Sequence, residues 1–255
     1  MARNDGRGPD EHRRIEMTPG FHRNAEGSVL YRAGNTVVLC TASIDPSVPA
    51  WMVGRGTGWL TAEYQMHPRS SPQKREPRDG RGKAPSGRTQ EIQRLIGRAL
   101  RAAVDMKALG EKTIAIDCDV LEADGGTRTA SISGGFVALA LAAAKLHKRD
   151  GAAPFLREPV AAISAGKLGS EVLLDLVYEE DRDADVDLNL VATESGAIIE
   201  VQGTAEGEPM SRAEMDALID AALAGVHSIT RLQRAALAGE GVELRALQVP
   251  RGAAS

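Results

Sequence analysis

The sequence predicts an α+β fold in which mixed sheets pack against helices. Strand-like and helix-like runs alternate along the 255 residues, in the order strands, helix, strand, helix, strands, helix. Long connections separate several strand-like runs, which argues against an all-parallel sheet. Hydrophobic content of 42% supports a substantial core, and aromatic content of only 3% means that Val, Leu, Ile and Ala must build it.

The first half of the chain opens with a polar, Arg-rich segment, residues 1–14, which we expect to be flexible at least at its start. Alternating apolar residues then predict strands at residues 28–32, 36–44, 58–65 and 113–120, the first two forming a hairpin. A helix follows Thr89, because Ile92, Leu95 and Ile96 begin an apolar series at helical spacing. The apolar run at residues 132–146 predicts a second, buried helix.

The second half is predicted to begin after residues 149–159, a polar stretch with two prolines. The chain would then be one domain with loose halves of about 1–150 and 151–255, and a weakly patterned tail after about residue 240. Strand-like runs at residues 160–167, 171–178, 186–191 and 197–202 predict an antiparallel meander. Ser211 and Glu214 form a capping-box pattern that opens the last helix.

Charge and cysteine content narrow the class of protein. Because the net charge is only −4, a nucleic-acid partner needs a local basic patch. The scarcity of aromatic residues argues against base stacking as the dominant contact. Cys40 and Cys118 lack a paired-cysteine motif and are predicted to be buried, reduced thiols. We expect a cytoplasmic protein without a membrane partner, since no uninterrupted apolar run reaches spanning length and no signal peptide is recognisable.

A glycine pair, Gly125–Gly126, lies between the predicted strand at 113–120 and the buried helix. Such a junction lets backbone N–H groups converge on one point, where the helix dipole favours an anion. Thr127 adds a hydroxyl, and Arg128 adds a planar cationic group that suits phosphate oxygens. The alternative is a tight turn with a helix cap. The junction is neither a Walker A loop nor a dinucleotide fingerprint.

Residues 67–88 form a basic segment with several Pro, Gly and Ser residues, which we interpret as an exposed, mobile loop. Its cationic residues are Arg69, Lys74, Arg75, Arg78, Arg81, Lys83 and Arg88. A positive loop in an acidic chain would attract a polyanion with strong salt dependence. The alternative is a solvated charged surface. Arg88 lies near the start of the following helix, where the dipole also favours anions.

An acidic stretch, residues 179–187, connects two predicted strands of the meander. Residues 179–183 look like a solvated turn, whereas Asp187 lies within a strand and shares a face with Asn189. With Asp181, it could bind a divalent cation or transfer a proton. The alternative is two ordinary surface aspartates. The basic loop, the glycine junction and the acidic pair together indicate phosphate chemistry on a polyanion. They do not separate phosphorolysis from hydrolysis, or an enzyme from a binding subunit.

Ten motifs in shared order resemble the ribonuclease PH family, from about Asn4 to about Gln233. They include Gly58-Trp-Leu-Thr-Ala-Glu-Tyr, Ser86-Gly-Arg-Thr-Gln-Glu-Ile-Gln-Arg, Ala123-Asp-Gly-Gly-Thr-Arg-Thr, Val186-Asp-Leu-Asn-Leu-Val and Glu200-Val-Gln-Gly-Thr-Ala-Glu. The resemblance implies two βαβα-like halves similar to domain 2 of ribosomal protein S5. It also implies a homohexamer, arranged as a trimer of dimers.

The resemblance further implies the roles of individual residues. Inorganic phosphate, the co-substrate, would bind Arg88, Gly126, Thr127 and Arg128. Asp181 and Asp187 would be catalytic and would support Mg²⁺ or supply a proton. The arginines of the basic loop would bind RNA, namely Arg69, Arg75 and Arg78.

The activity implied by this resemblance is phosphorolytic 3′-5′ exonuclease trimming of tRNA precursors, with other structured RNA as further partners. Phosphate would attack the terminal phosphodiester and release a nucleoside 5′-diphosphate. Two other functions compete with it. One is a non-catalytic, RNA-binding ring subunit, and the other is a small-molecule phosphotransferase.

Overall fold

The computed structural model describes residues 3–72, Arg75 and residues 84–250. They form two sheets, with one long helix between the sheets and a second long helix against the other face of the second sheet. The predicted α+β class is therefore confirmed. Arg78 and the other residues of the basic segment at 73–74, 76–83 lie outside the described residues.

The first sheet has five strands in the spatial order β1, β2, β3, β5, β4. These are β1 (Ile15–Pro19), β2 (Gly27–Ala33), β3 (Thr36–Asp45), β4 (Trp59–Met66) and β5 (Thr113–Glu122). All neighbours are antiparallel except β4 and β5, which are parallel. Parallel neighbours need a crossover. Here it contains the helices α1 (Gly87–Ala102) and α2 (Met106–Leu109).

The second sheet has four antiparallel strands in the spatial order β7, β6, β8, β9. These are β6 (Val160–Leu168), β7 (Glu171–Leu174), β8 (Val186–Thr193) and β9 (Ile198–Ala205). The predicted meander was wrong, because β8 pairs with β6 and not with β7. The strand predicted to reach Tyr178 stops at Leu174, since Asp175 takes a φ of 55° and turns the chain.

A short helix, α4 (Tyr178–Asp183), follows that turn and leads the chain to β8. Residues 179–183 were predicted to be a solvated turn. They are largely exposed, but they form a helix rather than a turn. Glu179, Glu180 and Asp181 lie in the first turn of α4, where the helix dipole stabilises negative charge.

Helix α3 (Thr127–Asp150) contacts β2, β3 and β6 and so joins the two sheets. It is apolar on nearly every side, as expected of a helix enclosed by protein. Within the described ranges it is the one helix long and apolar enough to cross a membrane, but 83% of its most apolar window is buried in the fold. Helix α5 (Arg212–Gly239) packs on β6, β8 and β1, and a 3₁₀ turn (Leu244–Leu247) follows it.

The segment at 149–159 is partly packed into the fold. Phe155 and Leu156 are buried, and Leu156 bridges both Val104 and Gln248. The division of the chain into halves at this segment stays a prediction.

Two buried thiols lie opposite each other in the first sheet. Cys40 on β3 pairs in register with Cys118 on β5, and both are free. Each Sγ donates to the carbonyl of Ser131 on α3, at 3.8 and 3.7 Å. The prediction of buried, unpaired thiols is confirmed.

The N-terminal segment differs from the flexible arm that the sequence predicted. Residues 3–14 have no regular secondary structure, yet the side chains of Arg3 and Arg13 are buried. Strand β1, which follows them, was not predicted at all. The polar composition did not indicate this order, because the two arginines are buried in ion pairs, Arg3 with Glu180 at 2.7 Å and Arg13 with Asp175 at 2.7 Å.

Gly27 of β2 provides a test of the packing between α3 and the first sheet. A Cβ at this position would lie 2.0 Å from the carbonyl oxygen of Ala138 and 2.6 Å from the amide nitrogen of Ala142, both in the backbone of α3. We expect Gly27→Ala to lower the free energy of unfolding by about 2–3 kcal/mol, as overpacked cores do. Urea denaturation measures this change. Gly239→Ala is the control, since an added Cβ there contacts nothing within 4 Å, and an equal loss in both variants would contradict the packing.

Candidate active site at the N-terminus of helix α3

A cleft of about 1110 Å³ opens where the C-terminal end of β5 meets α4 and β8. It gathers seven of the nine predicted site residues, from five separate segments of the chain: Arg69, Arg88, Gly126, Thr127, Arg128, Asp181 and Asp187. Arg75 is exposed and does not line the cleft. Arg78 cannot be placed, because it lies outside the described residues.

The glycine junction forms the back of the cleft. Gly125 and Gly126 have φ values of 73° and 64°, a region that favours glycine. Gly126 is the N-cap of α3 and no side chain caps this helix end. The first-turn N–H groups and the helix dipole therefore face the cleft, which is the arrangement that binds anions.

A steric constraint is a second reason why Gly125 must be glycine. A Cβ on Gly125 would lie 2.4 Å from the carbonyl oxygen of Leu176 and 3.0 Å from the amide nitrogen of Tyr178. The loop therefore packs directly against the backbone that begins α4. This close approach brings the helix N-terminus and the acidic residues of α4 to one cleft.

Thr127 and Arg128 are held by polar neighbours that sequence reasoning missed. The Thr127 hydroxyl lies 2.9 Å from the hydroxyl of Tyr64, a buried residue of β4. Nη1 of Arg128 donates to Oε1 of Gln202 on β9 at 3.0 Å, and the same atom lies 3.7 Å from Oε1 of Glu91. These contacts engage only Nη1, so the guanidinium group of Arg128 keeps further donors for a ligand.

Arg88 is the second residue of α1, which begins at Gly87, two residues before the predicted start at Thr89. Ser86 caps this helix, since its Oγ accepts the N–H of Thr89 at 3.1 Å. Arg88 therefore enters the cleft from a second helix N-terminus. Burial raises the pKa of Asp181, and the charges of Arg128 and Arg88 oppose that rise, so both arginines lie close enough to act on this carboxylate.

The acidic pair lines the same cleft as the glycine junction. Asp187 is half-buried on β8, and its pKa is raised by burial first and then by the negative charges of Asp181 and Glu206. Asp181 is accessible at the lip of the cleft, although the surrounding protein still disfavours its charged form. The surroundings of both carboxylates therefore disfavour their charged forms, which is typical of a functional site more than of ordinary surface aspartates.

The basic loop is less exposed at its start than predicted. Pro68 and Ser70 are buried, and the Ser70 carbonyl accepts the N–H of Ala123 at 2.9 Å. This bond fixes the loop beside the glycine junction. Arg69 is exposed and lines the cleft as a result.

A second hollow, of about 570 Å³, lies on the outer face of the first sheet. Glu63, Asp117 and Asp119 line it, and no arginine or lysine does among the described residues. It therefore offers an anion none of the cations found in the larger cleft. The larger cleft is the better candidate for phosphate chemistry.

The sequence matches both domains of the 3′ exoribonuclease family, domain 1 over residues 11–145 and domain 2 over residues 158–225. The chain belongs to this family. A ribonuclease PH of Frankia casuarinae is 51% identical over 239 residues, which cover 94% of this chain and 95% of that protein. A ribonuclease PH of Rhodococcus erythropolis is 50% identical over 243 residues, covering 93% and 91%. The resemblance found in the motifs is confirmed.

Solved structures agree with this family at the level of the fold. Rice Rrp46 superposes with a TM-score of 0.75 at 20% identity, covering 92% of this chain and 100% of that one. A structure titled as an Archaeoglobus fulgidus exosome with RNA bound to the active site has a TM-score of 0.73 at 22% identity, covering 90% and 92%.

Replacing Asp187 should stabilise the protein at neutral pH. Its raised pKa means that ionisation costs the folded state free energy, and this cost is complete above the raised pKa. We expect Asp187→Asn to raise Tm by a few degrees at pH 7, since 1 kcal/mol shifts Tm by about 2–4 °C in a chain of this size. The gain should disappear as the pH falls through the raised pKa towards 3.8, the ordinary value.

Thermal unfolding between pH 4 and pH 8 tests this expectation. Asp183→Asn is the matched control, because Asp183 is exposed and its hydrogen bond with Arg182 lowers its pKa. A Tm for Asp187→Asn that is lower than that of the unmodified protein at pH 7 would contradict the electrostatic account.

Proposed function

We propose that orthophosphate binds at the N-terminus of α3 and attacks the last phosphodiester at the 3′ end of a tRNA precursor. Members of the 3′ exoribonuclease family related to ribonuclease PH use phosphate in this way, and the chain is a phosphorolytic 3′-5′ exoribonuclease. One observation supports the residue assignment above all others. The uncapped glycine junction, two arginines and an acidic pair with raised pKa line one cleft.

The reaction exchanges one bond to phosphorus for another. An oxygen of orthophosphate bonds to the phosphorus of the last linkage, and the bond from that phosphorus to the preceding 3′ oxygen breaks. A nucleoside 5′-diphosphate leaves, and the shortened RNA gains a 3′ hydroxyl. Because the exchange is nearly balanced in energy, the reverse addition of nucleoside diphosphates should also occur.

Arg88, Arg128 and the backbone of Gly126 have a clear electrostatic role in this step. The nucleophile and the scissile phosphate are both anions, so bringing them together is unfavourable without fixed positive charge. Donors fixed before the reaction stabilise charge in the transition state without reorganising. The Thr127 hydroxyl, held by Tyr64, adds one more donor at the same point.

Asp187 is our choice for the proton donor to the departing 3′ oxygen, with Asp181 as its partner. A raised pKa keeps a carboxyl group protonated to a higher pH, which suits a general acid. The two carboxylates also fit Mg²⁺, which binds proteins through one or two carboxylates plus substrate phosphates. Bound there, Mg²⁺ would supply Lewis-acid neutralisation of phosphate charge. No set of three or more metal-ligand side chains occurs in the described ranges, so substrate oxygens would have to complete the shell.

The RNA would enter past the basic loop. Arg69 lies on the cleft wall and would contact the backbone near the reacting linkage. Arg75 and Arg78 would contact it further along, so binding of tRNA precursors and other structured RNA should weaken steeply with salt.

A homohexamer, arranged as a trimer of dimers, is our proposal for the assembly. The titles of two structural relatives name exosome assemblies, which supports an oligomer. A cytoplasmic location follows from the reduced state of Cys40 and Cys118, on the same proposal.

A non-catalytic ring subunit is the second candidate, because the fold is shared with exosome structures. The presence of both arginines and both aspartates in the cleft argues against it. Release of nucleoside diphosphate that requires added phosphate separates the two functions. A small-molecule phosphotransferase would instead show no dependence on an RNA 3′ end.

Arg128→Ala tests the phosphate site directly. We expect kcat/KM for phosphate to fall about 100-fold or more, the usual cost of losing one preorganised charge donor. The assay measures nucleoside diphosphate release from a synthetic tRNA precursor across a range of phosphate concentrations. Arg212→Ala serves as the control, since Arg212 pairs with Asp216 on the exposed surface of α5. Unchanged phosphate dependence in Arg128→Ala would remove the N-terminus of α3 from the mechanism.

A further inference from the structure

Arg13 is a buried arginine next to the phosphate-binding loop that the proposed mechanism does not use. Its side chain binds Asp175 at two points, Nε to Oδ2 at 2.9 Å and Nη2 to Oδ1 at 2.7 Å. The backbone N–H of Arg13 donates to the same carboxylate at 2.8 Å. Both residues are only 4% exposed. This pair therefore has one rigid geometry.

The guanidinium group of Arg13 also reaches the glycine junction. Nη1 donates to the carbonyl of Asp124 at 2.5 Å, and Nη2 lies 3.5 Å from the carbonyl of Gly125. Thr36, buried at the start of β3, contacts the same two residues of the loop. Its Oγ1 donates to the Gly125 carbonyl at 2.7 Å and accepts the N–H of Asp124 at 3.0 Å. Two consecutive carbonyl groups of the loop are thus held by the same pair of side chains.

Because the peptide bond is planar, fixing the two carbonyl groups also fixes the direction of the N–H groups that follow them. In a trans peptide the C=O and the following N–H point in opposite directions, and the described residues contain no cis peptide. Gly125 and Gly126 line the cleft, whereas Arg13 lies behind them and does not line it. Carbonyls that point back to Arg13 leave the N–H groups of Gly125 and Gly126 pointing forward, into the cleft.

We infer that Arg13 and Thr36 are positioning residues of the phosphate site: they hold the carbonyls of Asp124 and Gly125 so that the next two N–H groups face orthophosphate. This inference rests on the proposed function, in which orthophosphate binds at this loop. Glycine peptides have wide conformational freedom, so a Gly-Gly loop without such contacts would sample many orientations. The contacts remove that freedom before the ligand arrives, which lowers the cost of binding.

The effect acts through orientation and not through net charge. Asp175 neutralises Arg13, so the pair adds little field at the cleft. Asp124 supports the same arrangement, because its Oδ1 accepts the N–H of Tyr178 at 3.2 Å and so ties the loop to α4. Changes to Arg13 or Thr36 should therefore alter phosphate affinity more than RNA affinity.

The experiment compares Thr36→Val with Thr36→Ser. Valine keeps the shape of threonine and removes the hydroxyl, whereas serine keeps the hydroxyl. We expect Thr36→Val to raise KM for phosphate about 5- to 10-fold, as the loss of one hydrogen bond predicts, with kcat at saturating phosphate and KM for RNA little changed. Thr36→Ser should bring KM for phosphate back towards the unmodified value. Arg13→Lys loses the planar guanidinium group, so it should also raise KM for phosphate.

Binding without turnover provides the second readout. Inorganic phosphate should raise the Tm of the unmodified protein, and Thr36→Val should need a higher phosphate concentration for the same rise. Arg234→Lys controls for the general loss of a paired arginine. Arg234 lies near the C-terminal end of α5 and binds Glu194, which follows β8. Its KM for phosphate should stay unchanged.

Two results would overturn the positioning role. One is a folded Thr36→Val with the phosphate KM of the unmodified protein, and the other is an equal rise in KM for RNA and for phosphate. If Arg13→Lys does not fold, the two Thr36 variants still decide the question. Failure of the proposed function looks different, because the unmodified protein would then release nucleotides without any need for phosphate.

Discussion

The contact between the glycine junction and the backbone before α4 is the constraint on which the site depends. The junction belongs to the first sheet, because β5 leads into it, whereas α4 lies between two strands of the second sheet. The two parts approach so closely that a Cβ on Gly125 would lie only 2.4 Å from the carbonyl oxygen of Leu176. This approach brings the N-terminus of α3 into the same cleft as Asp181 and Asp187. The core helix α3 fixes the approach, since it contacts strands of both sheets along its length.

The chain contains two classes of carboxylate near the cleft, and their pKa shifts have opposite signs. Asp175 is almost fully buried, yet its pKa is lowered, because the hydrogen bonds and charge of Arg13 outweigh burial. Asp187 is less buried, and its pKa is raised by burial first and then by the negative charges of Asp181 and Glu206. Asp175 is thus paired within the protein, whereas Asp187 keeps the unpaired environment that its proposed catalytic role requires.

The sequence predicted the chemistry of the site better than it predicted the connections that build it. Gly125 and Gly126 were identified because a glycine pair between a strand and a helix lets backbone N–H groups converge at the helix N-terminus. The long helices were identified because their apolar patterns extend over many turns. Strand β7 was predicted too long and α4 was missed, since the apolar residues Leu176 and Val177 continue the strand pattern past the turn. Local pattern cannot reveal that Asp175 leaves the strand to meet Arg13, a residue 162 positions away along the chain.

Asp175 is the one non-glycine residue with positive φ in the described parts of the chain, and its position explains why no other side chain suits it. Such a backbone costs about 1 kcal/mol or more, and aspartate and asparagine tolerate it better than most residues. Glycine would remove this cost but would leave the buried guanidinium of Arg13 without its partner, a loss of about 3–5 kcal/mol. Asparagine would keep the backbone but not the charge. Aspartate alone satisfies both the dihedral angle and the ion pair, so the strain at this turn is offset by the contact with Arg13, which in turn holds the glycine junction.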